Sequence, residues 1–224
     1  MIIVYHYSVW MAIENMVAER STALTRALSQ VKQSYRATLE VVAAMLAARE
    51  NKTGEHCKRV ALMAETLARE MRLSDHDVET IGHSALLHDI GKIAMPDAIL
   101  QKKGPLTEDE WKIVKSHPRV GYEIVSACPA LEAASDIVYS HQERFDGTGY
   151  PRGLKGTQIC LGARVFAVVD TYDAMRSSRP YSPSQSVETA IAEIVAGRGK
   201  QFDPDVVDAF LRCQSHIEVY GNGG

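Results

Sequence analysis

The sequence lacks the features that would place it among secreted, membrane-spanning or polymer-binding proteins. Its four cysteines show no C-x-x-C spacing, which argues against a zinc finger or a disulfide framework and favours a reducing compartment. Its longest apolar run, at residues 1–13, is too short for a membrane span and lacks the marks of a signal peptide. The formal net charge of −3 shows none of the basic excess typical of proteins that grip a nucleic acid polymer. We therefore expect a cytoplasmic protein with no membrane span in this chain and no nucleic acid polymer as a partner.

The chain length and composition are those of a folded globular protein. A length of 224 residues allows one large domain, or a domain with an appendage. The hydrophobic fraction of 46% and the charged fraction of 24% exclude a largely disordered or fibrous chain. Apolar residues recur at helical spacing, and no segment alternates convincingly between apolar and polar residues. The sequence therefore predicts an all-α fold.

Glycine and proline are absent from residues 14–50, which predicts one long N-terminal helix. Val17, Leu24 and Val31 are seven residues apart and form a heptad-like apolar stripe. The stripe is typical of a signalling or dimerising helix, and an ordinary amphipathic helix packed on its own domain is the alternative.

Further along the chain, turn and capping signals separate shorter helices. Thr107 and Glu110 have the spacing of a capping box and predict a helix start. We expect Trp111 in that helix to belong to the core. Residues 146–161 are rich in glycine and form the longest irregular stretch, and long ordered loops within compact domains are often functional.

Two adjacent polar residues, His88 and Asp89, lie in the otherwise apolar segment LLHDIGK at residues 86–92. Neighbouring helical side chains diverge by about 100°, so the pair offers a forked nitrogen and oxygen donor set. A buried carboxylate is costly unless a cation accompanies it, and a metal ion or Lys92 on the same face would supply one. The alternative is a core histidine capped by an aspartate.

Other histidines and aspartates on separate helices could converge with this pair on one pocket. They are His56, His117, His141 and Asp170. A mixture of imidazole and carboxylate donors suits divalent iron, manganese, nickel or zinc, and it excludes a thiolate site.

Taken together, the motifs resemble those of the HD-GYP family, a branch of the HD-domain metal-dependent phosphohydrolases. The resemblance extends over about residues 40–211, and its blocks include HDIGK at 88–92, PDAIL at 96–100, SHP at 116–118 and HQERFDGTGYP at 141–151. It implies an all-α HD-domain bundle. It also implies hydrolysis of cyclic di-GMP to linear pGpG, and on to GMP if the second bond is cut.

The resemblance also implies roles for individual residues. The six histidines and aspartates above correspond to the ligands of two divalent metal ions, with iron or manganese favoured and nickel, zinc or magnesium as alternatives. Asp89 corresponds to the carboxylate that bridges the metals. The two metals would activate a hydroxide for attack on the phosphate. Lys92 and Arg179 correspond to phosphate contacts, with Asp89 and Lys92 as the catalytic residues. Gly149 and Tyr150 correspond to the substrate loop.

Three positions depart from the family pattern. Some relatives hold a third metal with a glutamate and a second histidine, where this chain has Lys52 and Gln142. An ammonium and a neutral amide are poor ligands, so we predict that the site holds two metals. The absence of a third metal makes the further cleavage of pGpG to GMP less certain. Ser182 replaces a residue that is basic in some relatives, which weakens one phosphate contact.

The resemblance leaves two other functions open. One is a catalytically weak signalling module that binds a cyclic dinucleotide, and the other is a phosphodiesterase for cyclic GMP-AMP. The expected partners are the cyclic dinucleotide, a second copy of the chain through the N-terminal helix, an upstream sensor or receiver domain, and GGDEF-type proteins. We assign residues 1–38 to a signalling and dimerisation helix, 39–215 to the catalytic domain and 216–224 to a flexible tail.

Several polar residues near the motifs are not expected to be ligands. His83 precedes His88 by five residues and points to a different face of its helix. Asp173 either orients a ligand or pairs with Arg176 or Arg179. Cys57 is expected to be inert.

Overall fold

The computed structural model describes residues 2–50, 54–177 and 184–221 of the chain. Within these ranges the chain forms α-helices and short 3-10 segments without any strand, so the all-α prediction is confirmed. The α-helices are α1 (Ile2–Arg49), α2 (Glu55–Glu70), α3 (Asp75–Leu87), α4 (Asp97–Leu100), α5 (Glu108–Lys115), α6 (His117–Ser126), α7 (Glu132–Ser140), α8 (Leu161–Arg176), α9 (Val187–Ala196) and α10 (Pro204–Gly221). The 3-10 segments are Ile90–Ala94, Pro129–Leu131 and Gly156–Gln158.

The chain divides into two compact units, residues 1–39 and residues 40–224. The first unit consists of most of α1, and its heptad-spaced Val17, Leu24 and Val31 are 62%, 62% and 66% exposed. A signalling or dimerising role for this stripe stays a prediction. None of the described helices is long and apolar enough to cross a membrane.

The second unit is built around α2, which packs against α3, α8 and α10. Its apolar side chains at Val60, Met63 and Leu67 are fully buried, at the three- and four-residue spacing of a core-facing stripe. Tyr172 of α8 and Phe210 of α10 extend the core, with ring centroids 5.2 Å apart. This core is the rigid base from which the helices carry polar side chains to one site.

Local capping signals set where several of these helices begin. The backbone N–H of Asp77 donates to the Ser74 hydroxyl at 3.2 Å at the start of α3. At the start of α5 both bonds of the predicted capping box form, from Glu110 N–H to the Thr107 hydroxyl at 3.3 Å and from Thr107 N–H to the Glu110 carboxylate at 2.7 Å. The capping-box prediction is therefore confirmed.

Two predictions about the outer parts of the fold are wrong. Trp111 is 46% exposed rather than buried, because the two-turn helix α5 lies at the surface and buries none of its residues. The tail expected from residue 216 is helical up to Gly221, where α10 ends. Ile217 is fully buried because it continues the apolar face that includes Phe210 and Cys213.

Candidate metal centre

The six predicted metal ligands come together in two groups of three. The His56 triad consists of His56, His88 and Asp170, and the His141 triad consists of Asp89, His117 and His141. Within each triad the candidate ligand atoms all lie within 4.8 Å of one another. Five separate segments of the second unit supply these side chains, so the site depends on the whole bundle.

Asp89 links the two triads because its two carboxylate oxygens face different histidines. Oδ1 lies 3.3 Å from His117 Nε2 and 3.8 Å from His141 Nε2. Oδ2 lies 3.2 Å from Nε2 of His88, which belongs to the other triad. The two oxygens of Asp89 therefore face candidate ligands of both triads.

The glycine of the HDIGK motif allows the segment after Asp89 to approach α6 closely. A Cβ atom at Gly91 would lie 2.0 Å from the His117 carbonyl oxygen and 2.5 Å from the Gly121 nitrogen. Both atoms belong to the backbone and cannot move aside cheaply. Gly91 therefore lets the 3-10 segment hold Asp89 beside His117.

Three of the histidines are oriented by main-chain carbonyls of their own helical turns. The Nδ1–H groups of His88, His117 and His141 donate to the carbonyl oxygen three residues earlier at 2.8, 2.7 and 2.7 Å respectively. With Nδ1–H engaged in this bond, the neutral imidazole carries its lone pair on Nε2, and Nε2 is the atom that faces Asp89 in all three.

His56 is oriented by a side chain instead. Its Nδ1 lies 2.6 Å from the carboxylate of Asp173, and its Nε2 lies 3.3 Å from Asp170. Asp173 is fully buried and also accepts hydrogen bonds from Arg59 at 2.7 and 3.1 Å. Of the two roles predicted for Asp173, the structure favours orientation of a ligand. Arg59, which was not among the predicted arginine partners, pairs with its carboxylate.

The electrostatic environment differs sharply between the two triads. Burial lowers the pKa of His56, but the nearby carboxylates of Asp170 and Asp173 outweigh this and raise it to about 9. Burial and the charge on His88 lower the pKa of His141 to about 3, so its imidazole is neutral. Burial raises the pKa of Asp89, but the charges of His88 and Lys92 hold it well below its usual range. Asp89 is therefore ionised, as a metal ligand must be.

Lys92 is a fixed cation at the edge of the site. Its Nζ lies 2.6 Å from Oδ2 of Asp89 and 3.2 Å from Oε1 of Glu50. Burial lowers the pKa of Lys92, but the two carboxylates raise it above its usual value. The contact between Lys92 and Asp89 agrees with their shared helical face in the sequence, whereas nothing in the motif pointed to Glu50.

The glycine-rich loop brings Tyr150 to the His141 triad. A Cβ atom at Gly149 would lie 2.3 Å from the Arg144 nitrogen, so this position requires glycine. The N–H of Tyr150 donates to the Gln142 carbonyl at 3.1 Å, and the Tyr150 ring centroid lies 6.5 Å from that of His117. Nζ of Lys115 lies 5.7 Å from the Tyr150 ring centroid and adds a second cation at this edge.

A buried carboxylate supports the same loop from beneath. Glu143 is 4% exposed and accepts hydrogen bonds from the backbone N–H groups of Arg152 at 2.7 Å and Leu154 at 3.0 Å. These bonds hold the part of the loop that follows Tyr150 in place.

The remaining residues singled out in the sequence lie outside the described residues or belong to neither triad. Arg179, Lys52 and Ser182 lie outside the described residues. His83 belongs to neither triad. Burial raises the pKa of the Cys57 thiol to about 12, which agrees with the inert role predicted for it.

The donor set fits divalent transition metals. Each triad combines imidazole nitrogen with carboxylate oxygen, and neither contains a thiolate. The Nδ1 atoms are tied to carbonyls or to Asp173, so the Nε2 atoms are available in the orientation that ligation needs. The residues present could therefore hold metal ions in both triads.

Comparison with known proteins identifies the family. The family model described as HD domain matches residues 40–206. The chain is 41% identical to the cyclic di-GMP phosphodiesterase response regulator RpfG of Xanthomonas campestris over 87% of this chain and 52% of the relative. It is 42% identical to a cyclic di-GMP phosphodiesterase of Thermotoga maritima over 81% of this chain and 50% of the relative. A 3′3′-cGAMP-specific phosphodiesterase of Vibrio cholerae is 31% identical over 93% of this chain and 38% of the relative.

The fold is also that of a solved structure. The crystal structure of V-cGAP3, a cyclic GMP-AMP-specific phosphodiesterase of Vibrio cholerae, matches with a TM-score of 0.66 and 18% sequence identity, over 83% of this chain and 51% of that chain. The present chain spans about half the length of the first two relatives. Its family model nevertheless covers most of the second unit. The chain therefore belongs to the HD-domain family, in agreement with the resemblance of its motifs to the HD-GYP branch.

Proposed function

We propose that this protein is a metal-dependent phosphodiesterase that hydrolyses cyclic di-GMP to linear pGpG. The observation that carries the proposal is the pair of ligand triads joined by Asp89, with Lys92 beside them at 2.6 Å. Relatives at 41% and 42% identity that are named cyclic di-GMP phosphodiesterases support the substrate.

We propose that each triad holds one divalent ion, with iron or manganese favoured and nickel, zinc or magnesium as alternatives. Two triads of mixed nitrogen and oxygen donors support this number, as does the lysine at position 52. Ions bound there would supply Lewis acidity and a water of lowered pKa for in-line attack.

The side chains of the protein would bind the substrate and balance its charge. The ammonium of Lys92 is placed to pair with a phosphate oxygen, and Arg179 is assigned a similar role by the family resemblance. Tyr150 and Lys115 form the rim on the side of the His141 triad, where a cation and an aromatic face can both contact a nucleotide. Gln142 occupies the position where some relatives have a histidine that binds a third metal. We therefore propose pGpG rather than GMP as the main product.

Cyclic GMP-AMP is a second candidate substrate. A relative at 31% identity is named a 3′3′-cGAMP-specific phosphodiesterase. Lys92, Asp89 and the metal ligands would act on the phosphodiester, which both cyclic dinucleotides contain, so they would serve either one. Selection between the bases would depend on the rim of the site.

One experiment separates these functions. Metals per chain are quantified, the loaded protein is incubated with cyclic di-GMP or cyclic GMP-AMP, and the products are followed by chromatography. We expect two metals per chain and conversion of cyclic di-GMP to pGpG. Faster turnover of cyclic GMP-AMP would favour the alternative substrate. Nucleotide binding without turnover by a fully loaded site would contradict an enzymatic role and indicate a signalling module.

We further propose that the chain acts in the bacterial cytoplasm as part of a signalling protein. The four cysteines are free thiols, which fits a reducing compartment. The exposed stripe of α1 supports a homodimer. The family resemblance also implies other partners, namely an upstream sensor or receiver domain and GGDEF-type proteins. Light scattering on a Leu24→Glu variant would test the dimer, which we expect to dissociate.

A further inference from the structure

The C-terminal end of α1 is tied to the segment that follows Asp89. Arg49, the last residue of α1, donates hydrogen bonds to the carbonyl oxygens of Ile93 at 2.8 Å and Met95 at 3.1 Å. The same guanidinium contacts the Asp97 carboxylate at 2.6 Å, and the Arg49 carbonyl accepts a bond from the Gln101 side chain at 2.9 Å. One side chain thus joins α1 to both the 3-10 segment and α4.

Glu50, the next residue, reaches the site itself. Its side chain is 8% exposed, and its carboxylate lies 3.2 Å from the ammonium of Lys92. Lys92 is therefore held between two carboxylates, because Asp89 contacts the same ammonium at 2.6 Å. Neither Arg49 nor Glu50 belongs to the ligand triads.

We infer that Glu50 is a positioning residue for Lys92, and that Arg49 fixes the 3-10 segment that carries Lys92. Together, these two residues at the end of α1 set the arrangement of Lys92 and Asp89. This inference rests on the proposed function for the role of Lys92 toward a phosphate. It assigns to the end of α1 a direct structural connection to the reacting groups.

Two physical effects support this role for Glu50. A lysine side chain is flexible, and a second fixed acceptor restricts its ammonium to one place. With Asp89 as its sole carboxylate partner, Lys92 would neutralise the carboxylate that the two triads share. Glu50 supplies additional negative charge, so Asp89 keeps its attraction for metal ions. Loss of Glu50 should therefore weaken both metal binding and turnover, and it should do so through Lys92.

A double-mutant cycle tests this dependence. Glu50→Gln keeps the shape of the side chain and removes its charge, Lys92→Met removes the cation, and the double variant completes the cycle. Glu40→Gln is the matched control, because Glu40 lies ten positions before Glu50 and likewise pairs with a lysine, Lys58, at 3.6 Å. Each full-length variant is titrated with Mn²⁺ after metal removal, and kcat and KM are measured after reloading. Lys92→Gln replaces Lys92→Met if the latter fails to fold.

We expect Glu50→Gln to lower kcat about tenfold with KM changed less than about threefold, and to weaken Mn²⁺ binding about fivefold. In the Lys92→Met background the same substitution should change neither quantity by more than about twofold. Equal losses in both backgrounds, or no loss in the wild-type background, would overturn the inference. If the loaded wild type fails to cleave a cyclic dinucleotide, the proposed function fails, and the Mn²⁺ cycle still decides whether Glu50 acts through Lys92.

The role of Arg49 has a separate readout. Two guanidinium nitrogens of Arg49 contact its three acceptors, and the single nitrogen of a shorter lysine side chain cannot take both positions. Arg49→Lys should therefore accelerate amide hydrogen exchange in residues 92–97. Arg69→Lys, in the last turn of α2, is the control, because Arg69 is 60% exposed and its pair with Glu65 is 3.6 Å long. Unchanged exchange in Arg49→Lys would show that this side chain does not fix the segment.

Discussion

The two ligand triads are similar in composition but are held in different ways. In the His56 triad, the imidazole of His56 is oriented by the carboxylate of Asp173, which follows it by 117 residues. In the His141 triad, His117 and His141 are oriented by main-chain carbonyls only three residues earlier. His56 and Asp170 each remain 32% exposed at the side chain, whereas His141 is fully buried.

This difference indicates how each triad responds to substitution. A main-chain carbonyl persists whatever side chain its residue carries, so the His141 triad keeps its orientation as long as the helices fold. In the His56 triad, His88 is also held by a main-chain carbonyl, but His56 depends on Asp173 and through it on Arg59, so a single substitution can disturb it. The carboxylate oxygens of Asp89 lie close to histidines of both triads.

The largest effect is expected from Asp89→Ala, which breaks both triads together. Removal of the shared carboxylate should lower kcat at least about a thousandfold and reduce the metal content. Activity and elemental analysis of the purified variant provide the measurement. Asp208→Ala is the control, because Asp208 pairs with Arg198 at the surface at 2.6 Å. Retained turnover in Asp89→Ala would refute the placement of the site.

A smaller effect, confined to one triad, is expected from Asp173→Asn. The amide is similar in shape but can no longer hold His56 as an anionic acceptor, so metal affinity in the His56 triad should fall about 10–100-fold. The His141 triad should bind as before. Calorimetric titration with Mn²⁺ resolves the two sites, and Asp208→Asn should bind both ions as the wild type does. Equal weakening of both sites in Asp173→Asn would abolish the distinction between the triads.

Removal of the metals should lower the stability of the protein moderately. Each bound ion, present at a hundred times its dissociation constant, stabilises the folded state by about 2.7 kcal/mol. For a chain of this size, each ion therefore raises the melting temperature by about 5–10 °C. Thermal unfolding with Mn²⁺ and with a chelator measures the difference, which should shrink in Asp89→Ala. Identical melting curves for the wild type would mean that the triads do not bind Mn²⁺ in the folded protein.

The smallest effect is expected from His83→Ala. His83 shares α3 with the segment leading to His88 but belongs to neither triad, so metal content and kcat should stay within about twofold of the wild type. A collapse of the metal content would show that the ligand set is wrong.

Much of the site was accessible from the sequence because its signals are local. His88, Asp89 and Lys92 lie within five consecutive residues, and their mutual contacts follow from one turn of chain. The capping box at Thr107 is equally local, and it formed as predicted. Arg59 follows His56 by three residues on α2, so a search for a cation on the face of His56 could have found it.

Other features could not be predicted because they depend on contacts between distant segments. Glu50 lies beside Lys92 because Arg49, the residue before it, is hydrogen-bonded to the segment after Asp89, and no motif records that approach. Trp111 was assigned to the core from its residue type, but the position of α5 at the surface left it exposed. The arginine partner of Asp173 was missed for the same reason. The sequence offered Arg176 and Arg179, but Arg59 contacts the carboxylate from another helix, 114 positions away along the chain.

The sequence by itself determined the helical class, the identity of the candidate ligands and the glycines of the HDIGK and GYP motifs. Periodicity, capping and motif residues act within a few positions of the chain, so they can be read without coordinates. Only the tertiary structure decided which ligands share a triad, which oxygen of Asp89 faces which histidine, and which residues orient His56 and Lys92. These contacts join residues as far as 117 positions apart, and spacing along the chain does not specify distance through the folded core.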